Sequence, residues 1–249
     1  MSVSAFLIVL NEEEKIGRTL DSLNWVDELI VVDGGSSDRT IQICKQGEAK
    51  VFERPFDNFQ NQKNYALSLT NHEWVFSIDS DEVVSEDLKN EILSVISSPG
   101  SLDAYWVKRK NYFLGKPLRF GRQSKDRVLR LFRKKVGHFR GLVHEEVKIS
   151  GKAGLLKNTL DHFGTRTLKE YYSKLKLYTD LEARRMIAEK RVPSYPKAVF
   201  YPIASWGFDY LIFGSFLDGW HGFLYHALSC YYGWLKNFKC LQQSKRQNK

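Results

Sequence analysis

Trp74-Val75-Phe76-Ser77-Ile78-Asp79-Ser80-Asp81-Glu82 sets three carboxylates at the end of an apolar run. The run reads as a buried strand, and acids beside a core cost free energy unless positive charge holds them there. Because strand side chains alternate, Asp79 and Asp81 are expected on one side, as hard oxygen ligands for a divalent cation and, through it, a nucleotide diphosphate. An acid cluster also caps helices, and Ser85 followed by Glu86 and Asp87 has the form of a helix start running to Ser97, before Pro99-Gly100. A helix-loop-helix calcium site does not fit, since Val83 and Val84 interrupt its ligand pattern.

Working outward, strand and helix alternate. Residues 3–10 read as a strand, and Asn11 with Glu14 has the spacing of a capping box that opens a helix to Leu23. Residues 28–33 form a second strand ending in Asp33-Gly34-Gly35-Ser36-Ser37-Asp38, where the glycines permit a tight turn and Ser36 or Ser37 caps a helix over 40–45. A strand near 49–53, a helix over 60–69 and the 74–79 strand continue the pattern. Such an order predicts an α/β fold with a parallel sheet covered by helices on both faces. Ligands of these sheets sit beyond the carboxyl ends of the strands, where Asn11, Asp33, Asp79 and Asp81 all fall. Gly34-Gly35 lacks the spacing of a dinucleotide fingerprint and no phosphate-loop lysine follows, which removes redox and P-loop readings.

The 249 residues suffice for a substantial core, and Lys plus Arg exceeds Asp plus Glu by 38 − 29 = 9, which favours an anionic partner. Residues 108–135 concentrate this charge, with 12 Lys or Arg against one Asp, interleaved with Tyr112, Phe113, Phe120, Leu129 and Phe132. A solvated basic face is one reading and a nucleic-acid surface another. Asp33, Asp79 and Asp81 would repel a phosphate backbone from the same crevice, so no nucleic-acid partner is expected.

Cys44, Cys230 and Cys240 show no paired spacing, and the apolar run 5–10 is too short for a signal peptide, so a cytoplasmic protein is expected. Leu168, Tyr171, Tyr172, Leu175, Tyr178 and Leu181 recur every three or four residues, predicting an amphipathic helix over 167–190. Residues 198–238 are rich in aromatics and glycine, but Asp209, Asp218 and His226 interrupt any run near the 18 to 20 or so apolar residues a membrane span needs. This tail is expected to lie on a bilayer with Lys236, Lys239, Lys245 and Arg246 towards anionic lipid. A helical subdomain or a dimer interface is the other reading. The division expected is a catalytic domain over 1–165 and a helical extension over 166–249.

The ordered set Asn11-Glu12-Glu13, Val31-Val32-Asp33-Gly34-Gly35-Ser36-Ser37-Asp38-Arg39-Thr40, Gln62-Lys63-Asn64 and the 74–82 stretch resembles inverting glycosyltransferases of family 2. Arg130-Leu131-Phe132-Arg133, Val143-His144-Glu145, Asp161-His162-Phe163 and 214–219 extend the likeness to the lipopolysaccharide-core β-1,4-glucosyltransferase group, over nearly the whole chain. The resemblance implies a GT-A fold, a mostly parallel sheet flanked by helices, with an aromatic-rich helical extension at the C-terminus. It implies transfer of glucose from UDP-glucose to a lipid-linked envelope glycan at the inner face of the cell membrane. A rival non-enzyme reading is a membrane-surface scaffold on a degenerate transferase fold.

The resemblance also implies roles. Asn11, Glu12, Asp33 and Asp79 would contact the nucleotide sugar. Many members carry a second acid where this chain has Gly34, so only Asp33 is carried over from that pair. Asp81, with Asp79 and a late histidine, His162, would hold Mg²⁺ or Mn²⁺. Apart from the resemblance, Lys63 and Arg130 are expected to meet the diphosphate or acceptor, because fixed positive charge in a cleft stabilises phosphate oxygens. The family places its catalytic carboxylate late in the domain, which points to Glu145, with Glu146 as the alternative. On a strand these two face opposite sides, so only one can face the sugar.

Overall fold

A computed structural model describes residues 1–141 and 146–247. The chain divides into two compact units, Met1–Arg109 with Asp126–His162, and Lys110–Lys125 with Phe163–Lys249. The second unit begins three residues before the division expected at 165/166 and also takes 110–125. The basic segment 108–135 is therefore shared between the two units.

In the first unit, β1 (Val3–Val9), β2 (Glu28–Asp33), β3 (Lys50–Glu53) and β4 (Trp74–Ser77) pair in parallel in the order β3-β2-β1-β4. The strands β5 (Glu82–Val84), β6 (Ala104–Phe113), β7 (Lys116–Pro117), β8 (Arg127–Arg133), β9 (Gly137–Arg140), β10 (Glu146–Ile149) and β11 (Ala153–Thr165) follow. The parallel half continues through β8, β6, β11 and β5, with β4–β8, β8–β6 and β11–β5 antiparallel, so the sheet is mixed. β9 and β10 form a separate antiparallel ribbon.

The apolar runs of β1 and β2 are continuous because both faces are covered. Leu7, Val9 and Val31 face a core with Ile16, Leu20, Cys44, Leu88 and Ile92, while Phe6, Ile30 and Val32 face one with Ala66, Leu67 and Phe132. Those residues come from α1 (Ile16–Asp21), α2 (Thr40–Gln46) and α4 (Glu86–Ser97) on one side and from α3 (Phe59–Leu69), with Phe132 of β8, on the other. Ser85 caps α4 as its sequence suggests, its hydroxyl accepting from Leu88 N at 3.2 Å.

Three local expectations need correction. Asn11 does not cap a helix: it takes a left-handed conformation, φ 54°, and the chain turns on Glu12 O, which accepts from Lys15 N and Ile16 N, before α1 starts at Ile16. Ser36 and Ser37 do not cap α2; Asp38 accepts from Thr40 N at 3.0 Å instead. The 74–79 strand ends at Ser77, after which Ile78 N bonds Phe6 O and the chain turns, Glu82 N donating to Asp79 O. Strict alternation therefore does not govern Asp79 and Asp81.

Glu28, at the start of β2, shows what holds an acid inside this unit. It is 6% exposed and accepts from Ser4 Oγ (2.7 Å), Lys50 Nζ (3.0 Å), Asn71 N (2.8 Å) and Asn71 Nδ2 (2.6 Å). Burial alone pushes its carboxyl up, but these donors outweigh it and lower the pKa from 4.5 to about 2. A depressed carboxyl stabilises the fold fully above its unfolded pKa, and the contribution is lost as pH falls towards about 2. Urea unfolding at about pH 5 and pH 2 is expected to show Glu28→Gln less stable than the parent at the higher pH by on the order of 3 kcal/mol, with the gap closing at the lower.

The second unit is built on α5 (Leu168–Ala188), α6 (Tyr195–Gly207) and α7 (Gly219–Gln247). Tyr171 Oη donates to Leu228 O at 2.7 Å, Lys239 Nζ meets Asp180 at 2.8 Å, and Trp234 Nε1 donates to Val199 O at 2.7 Å. Gly233 lets α7 approach Pro202 of α6, since a Cβ there would lie 3.2 Å from Pro202 Cβ. Asp218 accepts from Arg119 N and Phe120 N at 3.0 and 3.1 Å, tying 110–125 to this unit. Among the described residues no helix is long and apolar enough to cross a membrane.

Candidate functional site

The first unit gathers its polar groups where the parallel strands end. Asp33, fully buried at the end of β2, accepts from Gly35 N and Ser36 N, each at 2.8 Å, and from the Ser36 hydroxyl. Gly35 has φ 104°, a conformation that excludes most side chains and permits this turn. Asn11 joins the two loops: its N–H donates to Ser36 Oγ at 2.9 Å and its Oδ1 accepts from Ser37 N at 2.8 Å. Glu12 adds a bond from its N–H to Thr40 Oγ1 at 2.8 Å. Asn11, Glu12 and Asp33 thus meet in one laced pair of loops at the ends of β1 and β2.

Asp79 lies after β4, one-third exposed, with a cation on each oxygen. Lys63 Nζ of α3 donates to Oδ1 at 2.9 Å, and Arg130 Nη2 of β8 donates to Oδ2. Arg130 Nη2 also donates to Glu82 Oε1 at 2.6 Å, and Glu82 Oε2 accepts from Asp79 N at 3.1 Å. Desolvation pushes the Asp79 carboxyl up, but Arg130 and Lys63 outweigh it and hold it well below the usual carboxylate range. Desolvation likewise opposes the Arg130 charge, yet Asp79 and Glu82 raise its pKa above the ordinary guanidinium value. Arg130 Nε is buried and meets no hydrogen-bond acceptor among the described residues.

Above this network is a cleft of about 370 Å³ lined by Lys63, Asp79, Arg109, Arg127, Arg130 and Glu146, with Trp106 and Phe139 as aromatic walls. Arg109 Nε donates to Asp126 at 2.8 Å, and Arg127 lies 5.8 Å over the Trp106 ring. Four cations against two acids suit a polyanion, and arginines present fixed forks to phosphate oxygens.

Asp81 has a different partner from Asp79. Its Oδ1 stands 3.6 Å from His162 Nε2 of β11, both side chains about one-fifth exposed. Asp79 and Asp81 thus have different ionic partners, and among the described residues no three His, Cys, Asp or Glu side chains converge as a metal cage. The Asp81–His162 pair fits a cation nonetheless. Two ligands each about 2.1 Å from one ion stand about 3 to 4 Å apart, and Mg²⁺ and Mn²⁺ commonly complete their shells with phosphate and water. An imidazole partner suits Mn²⁺ better than Mg²⁺.

Glu145 lies outside the described residues. Glu146, on the cleft wall, pairs with Lys148 at 2.6 Å, and that ammonium lowers its pKa. Sequence reasoning did not single out Glu82, Trp106, Arg109, Arg127 or Phe139 as site residues. Glu82 stood in plain view in the opening stretch, but nothing in a sequence marks a glutamate that will be fully buried.

The sequence model of Glycosyl transferase family 2 matches residues 4–161, which span both loops, the Asp79 network and Asp81 and end one residue before His162. An uncharacterized glycosyltransferase of Rickettsia felis is 30% identical over 203 residues, covering 75% of this chain and 71% of its own. The lipopolysaccharide core biosynthesis glycosyltransferase LpsC of Rhizobium meliloti is 26% identical over 251 residues, covering 98% of this chain and 93% of its own. Among solved structures, S. aureus TarS 1–349 aligns at 15% identity with a TM-score of 0.51, over 100% of this chain and 92% of that one, a likeness of fold.

Proposed function

The chain belongs to glycosyl transferase family 2, and on that premise we propose that it is an inverting hexosyltransferase, moving glucose from UDP-glucose to a lipid-linked envelope glycan of the lipopolysaccharide inner-core kind. The observation that carries the donor half is the cationic cleft floored by Asp79 between Lys63 and Arg130. The whole-length likeness to LpsC supports the acceptor half.

The chemistry follows from charge. A carboxylate of the 143–146 stretch takes the proton from the acceptor hydroxyl, whose oxygen attacks the anomeric carbon opposite the leaving group. The bond to the diphosphate oxygen breaks with its electron pair, and the configuration inverts. Arg109 and Arg127 meet the charge that develops on the diphosphate, held in place by Asp126 and Trp106. Asp79 and Glu82 fix Arg130 in one orientation, so an anionic oxygen would find it preorganised. Asn11, Glu12 and Asp33 shape the loops that receive the nucleoside. Asp81 and His162 would hold Mn²⁺ or Mg²⁺ against the donor, where the ion supplies a Lewis acid for the leaving charge.

Glu145 is the base that the resemblance favours, while Glu146 has the place on the cleft wall. Lys148 lowers the proton affinity of Glu146, which makes it the weaker base. Glu145→Gln is expected to lower turnover by at least about a hundredfold and Glu146→Gln by less than about tenfold. Steady-state transfer by the two variants tests this, and the reverse order moves the base to Glu146.

The second unit supports a place on the inner face of a membrane. Phe200, Phe208, Leu211, Ile212, Leu217 and Trp220 are each between 47% and 69% exposed, around α6 and the start of α7. Aromatic and aliphatic groups so placed suit the headgroup layer, and Lys245 and Arg246 in the last turn of α7 suit anionic lipid.

A further inference from the structure

The second unit holds an open-sided cavity of about 700 Å³ between α6, α7 and the link from α5, a size typical of small-ligand sites. Met186, Val192, Pro193, Tyr201, Pro202 and Tyr232 give it an apolar lining. A buried donor inside it lacks a partner. Asn237 lines the cavity at 6% exposure. Trp206 also lines it, stacked on Tyr210 at 5.4 Å, and its buried Nε1 finds no acceptor among the described residues. Buried polar groups in folded proteins are almost always satisfied, so this indole N–H points to an absent acceptor such as an oxygen.

Charge narrows the choice. Arg191, Lys197 and Lys236 line the cavity against one acid, Asp209, which is paired with Arg122 at 2.6 Å. Arg191 is paired with Glu189 at 3.2 Å and Lys236 lies over the Tyr232 ring, while Lys197 is exposed. Apolar walls, an unsatisfied donor and surplus positive charge together match one kind of molecule.

We propose that this cavity binds a single anionic amphiphile, a lipid phosphate whose chain lies against the apolar walls and whose phosphate is met by Lys197, Lys236 and the Asn237 amide. The site lies within the second unit and needs no nucleotide sugar, so it stands or falls apart from the transfer reaction.

Calorimetric titration of the full chain with decyl phosphate, below its micelle-forming concentration and without nucleotide sugar, tests it. One molecule is expected to bind per chain, at least about tenfold tighter than decyl maltoside, with no measurable binding of inorganic phosphate. Lys197→Glu with Lys236→Glu is expected to weaken it at least about tenfold, and Asn237→Leu, which keeps the side-chain size, about fivefold. Ser205→Trp, which fills the cavity from α6, is expected to abolish it, with melting curves confirming that each variant folds. Equal affinity for decyl phosphate and decyl maltoside, binding of inorganic phosphate as tight as that of decyl phosphate, or unchanged binding in both Asn237→Leu and Ser205→Trp would overturn the proposal.

Discussion

Asp81→Asn is expected to lower sugar transfer by at least about a hundredfold while the melting curve stays close to that of the parent. Asp81 is partly exposed, and its one described ionic partner is His162 at 3.6 Å, so little of the fold depends on its charge. The amide keeps the shape but removes the negative charge that would hold a divalent cation beside the donor diphosphate. A rise in the Mn²⁺ concentration needed for half-maximal rate should accompany the loss, and His162→Ala should move it the same way. Turnover within about threefold of the parent would remove Asp81 from the chemistry.

Arg130→Met is expected to have the largest effect on stability, on the order of 3 to 5 kcal/mol in urea unfolding. The guanidinium is 5% exposed and bonds both Asp79 and Glu82, and Glu82 is wholly buried. Removing one partner leaves buried carboxylate charge uncompensated, whereas removing both sides together need not. Glu82→Gln in the Arg130→Met background should therefore recover part of the loss, the signature of direct coupling. Additive losses would mean that the two side chains act independently. The depressed Asp79 carboxyl adds a pH sign: its contribution is full above the unfolded aspartate pKa of about 3.9 and falls as the solution becomes more acidic.

The parallel half of the sheet was legible because β1, β2 and β4 are covered on both faces and so appear as unbroken apolar runs. Ser85 was legible because its cap is local, three residues from the N–H it binds. Asn11 was not, since its side chain serves Ser37 in a loop 26 residues away and its left-handed backbone removes it from any cap. Long-range pairing leaves no local trace.

The candidate site divides in the same way. Asp79, Asp81, Lys63, Arg130 and His162 were marked by residue type and order, but which of them meet was set by where β4 ends. An extended strand to Asp79 would have kept Asp79 and Asp81 on one side; the turn after Ser77 gives Asp79 to Lys63 and Arg130 and leaves Asp81 facing His162. Arg109 and Arg127 looked like two more charges in a basic segment. Only register places them on the cleft beside Trp106, while 110–125 joins the other unit.

The most direct test of the central claim is nucleotide release from UDP-, GDP- and dTDP-sugars, with Mn²⁺ or with EDTA, with and without a lipopolysaccharide-core acceptor. The account predicts release from UDP-glucose that needs the cation, rises with the acceptor and disappears in Asp81→Asn. Release from UDP-glucose that is indifferent to EDTA and to Asp81→Asn, or no release from any donor by the folded protein with acceptor present, would contradict it.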